Sequence, residues 1–243
     1  MGKRTRPALF TVLAGTMLAV LAAGPGPVSA QQGEAFRLDD RGGRRDRDRY
    51  LRANPSKVIA TELAFARTAQ EKGQWTAFAQ FAADDAVMFV PQPVLAKEWL
   101  KKQQNPAQAV RWQPHQVWSS CDGSLAVTKG AWQRPDGSVG YFTTVWARQK
   151  NHEYKWVMDQ GDVLQQPLEV PELIGASSAD CGRVDPFAFP AAEGGSRREG
   201  RSKDNSLVWS ATVDAAGART VSVRMWQGGE MKEVFSGRVA AAS

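Results

Sequence analysis

Histidine is nearly missing from this chain: His115 and His152 are the only two in 243 residues. A metal site would have to be built from carboxylates, and the sequence shows no clustered array of them, so no metal is expected. Cysteine is as scarce. Cys121 and Cys181 stand alone, with no Cys-x-x-Cys spacing and no neighbouring His cluster, which argues against zinc binding and dithiol redox catalysis. Gly-x-Ser-x-Gly, a phosphate-binding loop and a dinucleotide fingerprint are all absent, so no cofactor is expected. No apolar run of spanning length follows the first 30 residues. A strong charge of one sign is missing too. The formal net charge is +6, but setting aside Lys3, Arg4 and Arg6 leaves 28 basic against 25 acidic residues. That surplus is mild, and the basic residues are not interleaved with aromatics on one helix, so nucleic acid is not an expected partner.

What is present begins with an export signal. Lys3, Arg4 and Arg6 precede an apolar run from Ala8 to Ala23, then Gly24-Pro25-Gly26-Pro27, then small residues at Val28-Ser29-Ala30. This reads as a secretory signal peptide over 1–30, cleaved after Ala30. The apolar run falls short of the ~20 residues a spanning helix needs, so no stable membrane anchor is expected after cleavage. A periplasmic or secreted location follows. In that oxidising setting Cys121 and Cys181 are expected to form one disulfide.

Residues 31–55 mix arginines and aspartates with little to bury and read as a charged, disordered leader. Ser56 is read as the cap of a first helix ending at Gly73, with Val58, Ile59, Leu63, Ala66 and Ala69 at helical spacing and Glu62 and Phe65 on neighbouring stripes. Trp75 to Ala82 gives a second helix, Asp84-Asp85 a break, Ala86–Val90 a short strand, and Leu95–Gln104 a third helix. Four long antiparallel strands follow, near 111–120, 125–132, 139–149 and 154–163. Their turns are Asp122-Gly123, Pro135-Asp136-Gly137 and Lys150–Glu153. Alternation puts Phe142, Thr144, Trp146 and Arg148 on one face and Tyr141, Thr143, Val145 and Ala147 on the other. In the fourth strand it opposes Trp156, Met158 and Gln160 to Val157, Asp159 and Gly161. Both faces are apolar, so both are expected to be covered. Residues 166–205 read as loop and flexible linker. Residues 206–243 read as a β-hairpin extension, with strands at 207–213 and 218–226 and a further strand at 233–239, that joins the main sheet's edge or covers one face.

Residues 56–165 read as one domain, and over 56–162 the pattern resembles a known family. Glu62-x-x-Phe65-Ala66, Gly73-x-Trp75-x-x-Phe78 and Ala83-Asp84-Asp85-Ala86-Val87-x-Phe89-x-Pro91 resemble the opening of SnoaL-like and ketosteroid isomerase-like domains of the nuclear transport factor 2-like superfamily. Thr128-x-Gly130-x-Trp132, the run from Gly140 to Gln149, and Trp156-x-x-x-Asp159-x-Gly161 are similar to a subgroup without assigned function. The resemblance implies an α+β, cystatin-like cone of three N-terminal helices packed on a curved antiparallel sheet.

It also implies where chemistry would sit. Enzymes of this superfamily place an acid in an apolar pocket, which makes Asp159 the candidate acid and Tyr141 a candidate hydroxyl donor. Dehydratase-like members use a His–Asp dyad, so His115 is the candidate partner of Asp159. The competing reading of Asp159 is a strand-end carboxylate bonded to backbone or to Arg148. Trp112, Trp132, Trp146 and Trp156 either line a cavity for a small apolar or aromatic ligand or fill a core. Three functional readings stay open: a ligand-binding module, an isomerase, cyclase or dehydratase-type enzyme, and a homodimerising or partner-binding domain that pairs through the open sheet face.

Overall fold

The computed structural model describes residues 52–190 and 195–241. The expected signal peptide and nearly all of the leader lie outside the described residues. Helix α1 spans Pro55–Lys72. Its cap is Asn54, not Ser56. The Asn54 side chain accepts the Lys57 N–H at 3.0 Å, and Pro55 takes the first helical turn, where its missing N–H costs nothing. The buried stripe of α1 is Val58, Glu62, Phe65 and Ala69, while Leu63 faces outward. Sequence spacing had put Leu63 inside and Glu62 aside, so the stripe is rotated and carries an acid into the core. Helix α2, Gln74–Phe81, follows at once, and α3 is a single turn, Ala96–Leu100.

The first sheet is built from β1 (Ala82–Phe89), β2 (Pro93–Leu95), β3 (Arg111–Ser119), β4 (Leu125–Gln133), β5 (Val139–Arg148), β6 (Tyr154–Leu164) and β7 (Gly175–Ser178). Its order is β2-β1-β6-β5-β4-β3-β7. The four central strands are antiparallel, but β1 runs parallel to β6 and β7 parallel to β3. The sheet is therefore mixed, not wholly antiparallel. Asp84-Asp85 lies inside β1 at an irregularity in its pairing with β6, where both side chains are exposed. On one face the helices pack through Phe65, whose ring meets Phe78 and Trp112 edge-on at 4.8 Å.

The C-terminal part is more than a hairpin. Strands β8 (Ser196–Arg201), β9 (Leu207–Val213), β10 (Arg219–Gln227) and β11 (Glu230–Val239) form a second antiparallel sheet. Ser196–Arg201, read as linker because of its charge, is an edge strand, where charged side chains are tolerated and discourage further pairing. This sheet covers the other face of the first one. Leu207, Val223 and Met225 pack with Trp118, Val127, Val145 and Met158 in one buried cluster. The sheet face through which pairing of two copies was one of the open readings is thus covered by the chain itself.

The second sheet repeats the first. Ser120-Cys-Asp-Gly-Ser-Leu125 and Ser202-Lys-Asp-Asn-Ser-Leu207 form the same turn. In each, the leading serine hydroxyl donates to the aspartate (2.7 and 2.6 Å) and accepts the leucine N–H (3.1 and 3.0 Å). Gly123 (φ 64°) and Asn205 (φ 60°) take the left-handed position, which suits Gly and Asn. The turns clasp each other reciprocally: Cys121 N–H donates to Ser206 Oγ and Lys203 N–H to Ser124 Oγ, both at 2.9 Å. Strand register also repeats, with Leu125 opposite Ala147 and Leu207 opposite Met225. So does a one-residue bulge, which follows Val145 in the β5–β6 pair and Val223 in the β10–β11 pair.

Cys121 and Cys181 are joined, with Cα atoms 5.2 Å apart and a sequence separation of 60. The bond ties the turn after β3 to the segment that follows β7. Closing a loop of that length restricts the unfolded chain by roughly 2–5 kcal/mol. Replacing both cysteines by serine is expected to lower unfolding free energy by about that amount in denaturant titration. Two free thiols in the mass spectrum of non-reduced protein would contradict the bond.

Candidate functional site

Alternation along β6 breaks at the bulge. Val145 pairs with Met158 and Trp146 with Trp156, leaving Val157 unopposed. An extra residue flips every later side chain to the other face. Trp156 and Asp159 therefore both point toward the helices, although strict alternation separates them. Met158 and Gln160 point toward the second sheet. Thr144, opposite Asp159 in β5, donates its hydroxyl to Asp159 Oδ2 at 2.7 Å. Arg148, the other partner weighed for this acid, donates to Asp122 O.

Above this pair lies a cavity of about 280 Å³ on the helix face. Its walls include Phe65, Trp75, Phe78, Phe89, Trp112, Trp132 and Phe142, and its polar groups include Asp159, Thr144 and, at the rim, Gln74 and Arg134. Burial lifts the Asp159 carboxyl to about 7. The Thr144 hydrogen bond pulls it down, the Glu62 charge raises it further, and Arg219 opposes that rise. A half-buried carboxyl with that affinity changes protonation near neutral pH.

Trp132 is fixed as a platform at the mouth. Its indole lies against Gly140 and Gly161, where an added Cβ would stand 2.2 Å from ring carbon Cζ2 and 3.2 Å from Nε1. The Nε1–H donates to Tyr141 O at 2.9 Å. Only glycine leaves room for a ring in that seat. The Arg134 guanidinium sits 4.6 Å from the Trp132 ring.

Beneath the cavity floor is Glu62, which is fully buried. Its Oε1 accepts Trp112 Nε1–H at 2.8 Å. Its Oε2 accepts the Thr128 hydroxyl at 2.6 Å and Trp146 Nε1–H at 3.0 Å. Burial pushes this carboxyl up, and the bonds from Thr128, Trp112 and Trp146 pull it down. Helix α1 is thereby pinned to β3, β4 and β5 by a single side chain.

The four tryptophans divide into two pairs. Trp112 and Trp132 line the cavity. Trp146 and Trp156 are fully buried core, with their N–H groups given to Glu62 and to Phe78 O. Tyr141 does not reach the cavity. It alternates away from Phe142 and Thr144, and its hydroxyl lies near Gly237 of the second sheet, where burial raises its pKa. His115 is not brought to Asp159 either. It falls where the β3–β4 register shifts and lines a separate cleft with Trp118, Lys129 and Phe235. Burial, then the Lys129 charge, lowers its pKa from the usual value.

Sequence reasoning missed Glu62, Thr144, Arg134 and Arg219. Glu62 stands four residues after Val58 and three before Phe65, a core spacing that its charge disguised. Arg219 comes from β10 and is buried without a carboxylate partner among the described residues. It donates to Gln160 Oε1 at 3.0 and 3.2 Å, to Gly161 O and to Pro91 O at 3.1 Å, and lies over the Phe89 ring. The second sheet thus braces the wall beside Asp159. Among the described residues no group of three or more His, Cys, Asp or Glu side chains is placed to hold a metal ion.

No family model matches the chain, and no curated protein does. Several solved structures do resemble it. One is a protein from Parabacteroides distasonis named, provisionally, a ketosteroid isomerase: 14% identity, 48% of this chain, 97% of that one, TM-score 0.37. Another is a conserved protein from Planctomyces limnophilus: 12% identity, 47% and 97% coverage, TM-score 0.36. A third is a nuclear transport factor 2-like protein of unknown function from Mesorhizobium loti: 13% identity, 45% and 92% coverage, TM-score 0.30.

Two outcomes follow for the acids. Glu62→Leu strands three buried donors and is expected to cost about 3–5 kcal/mol in urea denaturation, with Glu62→Gln costing less. A loss under about 1 kcal/mol would show that the carboxyl does not hold the helix. For Asp159 the sign runs against the usual carboxylate. Between about pH 4 and 7 the unfolded chain gives up this proton while the folded chain keeps it, so stability falls as pH rises through that window. A rise from 3.8 to about 7 corresponds to about 4 kcal/mol at most. Asp159→Asn is expected to remove that part of the slope, and identical pH slopes for both proteins would refute the assignment.

Proposed function

We propose that this is an exported protein whose cone binds a small apolar or aromatic molecule, with Asp159 as the polar anchor at the inner end. The observation that carries this reading is the Asp159 carboxyl set into an aromatic cavity beside fixed indole and phenyl walls. Such a site takes most of its affinity from apolar contact and its orientation from a few hydrogen-bonding groups. Export is supported by the N-terminal sequence. The Cys121–Cys181 bond is compatible with an oxidising compartment, and none of the described helices is long and apolar enough to cross a membrane.

A second reading is an isomerase, cyclase or dehydratase-type enzyme. It is favoured by one observation, the near-neutral Asp159, since a general base works best with a pKa close to the working pH. Asp159 would take a proton from the carbon beside a ligand carbonyl and return it. Tyr141 and His115 stand elsewhere, so neither assists directly. Hydrogen exchange at that carbon in heavy water, lost in Asp159→Asn, tests this reading, and no exchange with a ligand that demonstrably binds ends it.

Binding is tested by quenching of tryptophan fluorescence with 2-naphthol, a donor, and 2-acetylnaphthalene, an acceptor. The donor needs an ionised Asp159, so its affinity is expected to rise as pH passes through about 7. The acceptor needs the protonated acid and is expected to weaken. Both trends should vanish in Asp159→Asn. No binding of either, or binding unchanged when the mouth is filled by Val163→Trp, would overturn the proposal.

A further inference from the structure

The mouth of the cone opens beside a second hollow whose lining has the opposite character. This vestibule, about 600 Å³, is lined by Gln70, Gln108, Gln133, Arg111 and Arg134 together with backbone of the 106–109 loop. No carboxylate side chain lines it. Arg111 and Gln133 are opposite each other in the β3–β4 ladder, Arg134 follows directly, and both arginines line this space at one end of the sheet. Neither arginine forms an ion pair among the described residues. Arg134 belongs to both spaces, lining the aromatic cavity as well as the vestibule.

Asp136, in the β4–β5 turn, accepts the Ser138 N–H at 2.9 Å and its hydroxyl at 2.7 Å. The Ser138 hydrogen bonds, and then the Arg134 charge, lower the Asp136 pKa, but Asp136 forms no ion pair with either arginine. Asp162 accepts the Val163 N–H at 2.8 Å, and its charge acts on Tyr141 and Arg219, both of which belong to the side facing the second sheet. Scattered exposed arginines usually have no ligand. Here two of them line one concave space that no carboxylate residue lines, and Arg134 also lines the aromatic cavity, whose acids are Asp159 and Asp162.

We propose that the ligand is an amphipathic anion: a flat apolar body inside the cone, and a carboxylate or similar anionic head in the vestibule between Arg111 and Arg134. This rests on the reading of the cone as a ligand cavity. Arg134 is the switch between free and bound. Its contact with the Trp132 ring is an exposed cation–π interaction, weak beside a charge-assisted bond to an anion, so the guanidinium can leave the ring and close over a bound head group. The inner end of the ligand then meets Asp159, which tolerates a donor or an acceptor according to its protonation state. Guanidinium at the mouth and carboxyl at the floor select one orientation and reject the reverse, which would put an anion against Asp159.

The test uses the full, disulfide-intact protein and two probes of nearly the same shape, 2-naphthoate and its neutral amide, followed by tryptophan fluorescence. Naphthoate is expected to bind about tenfold tighter or more, with a preference that shrinks as salt is raised. In Arg111→Gln/Arg134→Gln that preference is expected to fall to near one. Equal binding of the two probes to the unaltered protein, or a preference that survives in the double variant, overturns this inference while leaving the cavity reading in place. Failure of both probes to bind removes the cavity reading itself, and this inference with it. The comparison of probes on the unaltered protein decides the matter even if the double variant folds poorly.

Discussion

The architecture depends on one buried carboxyl. Glu62 offers two oxygens to three donors that come from β3, β4 and β5. No apolar residue at that place could do the same, because Trp112, Trp146 and Thr128 would each be left with an unsatisfied polar hydrogen in a dry interior. Taking the acid out of water is costly, and the raised pKa is the sign of that cost. What the network gives in return is register. Helix α1 cannot slide or rotate against the sheet without breaking three bonds at once. The aromatic rings above Glu62 are therefore held at a fixed height, and the space above them stays open. The two core tryptophans act as struts, and the two lining tryptophans form the wall.

A second constraint decides what faces that space. Without the bulge at Val157, the side chain at 159 would point into the interface between the sheets, next to the buried Arg219. With it, Asp159 faces the cavity and Gln160 faces Arg219. A bulge recurs after Val223, at the equivalent place in the repeated four-strand unit, so it belongs to the unit and not to the cone alone. The first sheet has turned a general irregularity of the unit to use, and the second sheet has become the support. Its Arg219 reaches through to Gln160, Gly161 and Pro91, so the wall beside the acid is held from behind by a buried cation with no ion-pair partner among the described residues.

Much of this was legible from sequence, and the failures have physical causes. Strand positions, turns and the faces of β5 followed from alternation and from Gly, Asp and Pro at the turns, because those signals are local. The bulge was not legible, since one extra residue in a run of Trp, Val and Met leaves no mark on hydropathy. Glu62 was set aside because charge usually marks a wet face, and only its three distant donors make it a core residue. Trp132 and Trp146 look alike in a strand. The glycines at 140 and 161 that seat one of them at the mouth lie on two other strands. The edge strand 196–201 was hidden by its arginines, because ladder hydrogen bonds do not depend on apolar side chains. The repeated Ser-x-Asp-(Gly/Asn)-Ser-Leu turn was present in the sequence as a signal, and it announces the second sheet.

Taken together, charge in this cone is arranged along one axis. Arg111 and Arg134 stand at the outer end, aromatic rings occupy the middle, Asp159 marks the floor, and Glu62 lies sealed beneath it. Two acids stacked in a dry space repel, and the Glu62 charge is one reason the upper acid holds its proton to about neutral pH. Because Glu62 is closed off by its three donors, the pair does not act as an exchanging dyad. The lower acid sets the height of the floor and biases the upper one, and the upper one alone meets whatever enters. On the reading proposed above, the cavity reads polarity at the inner acid and at the arginine mouth, and shape between them.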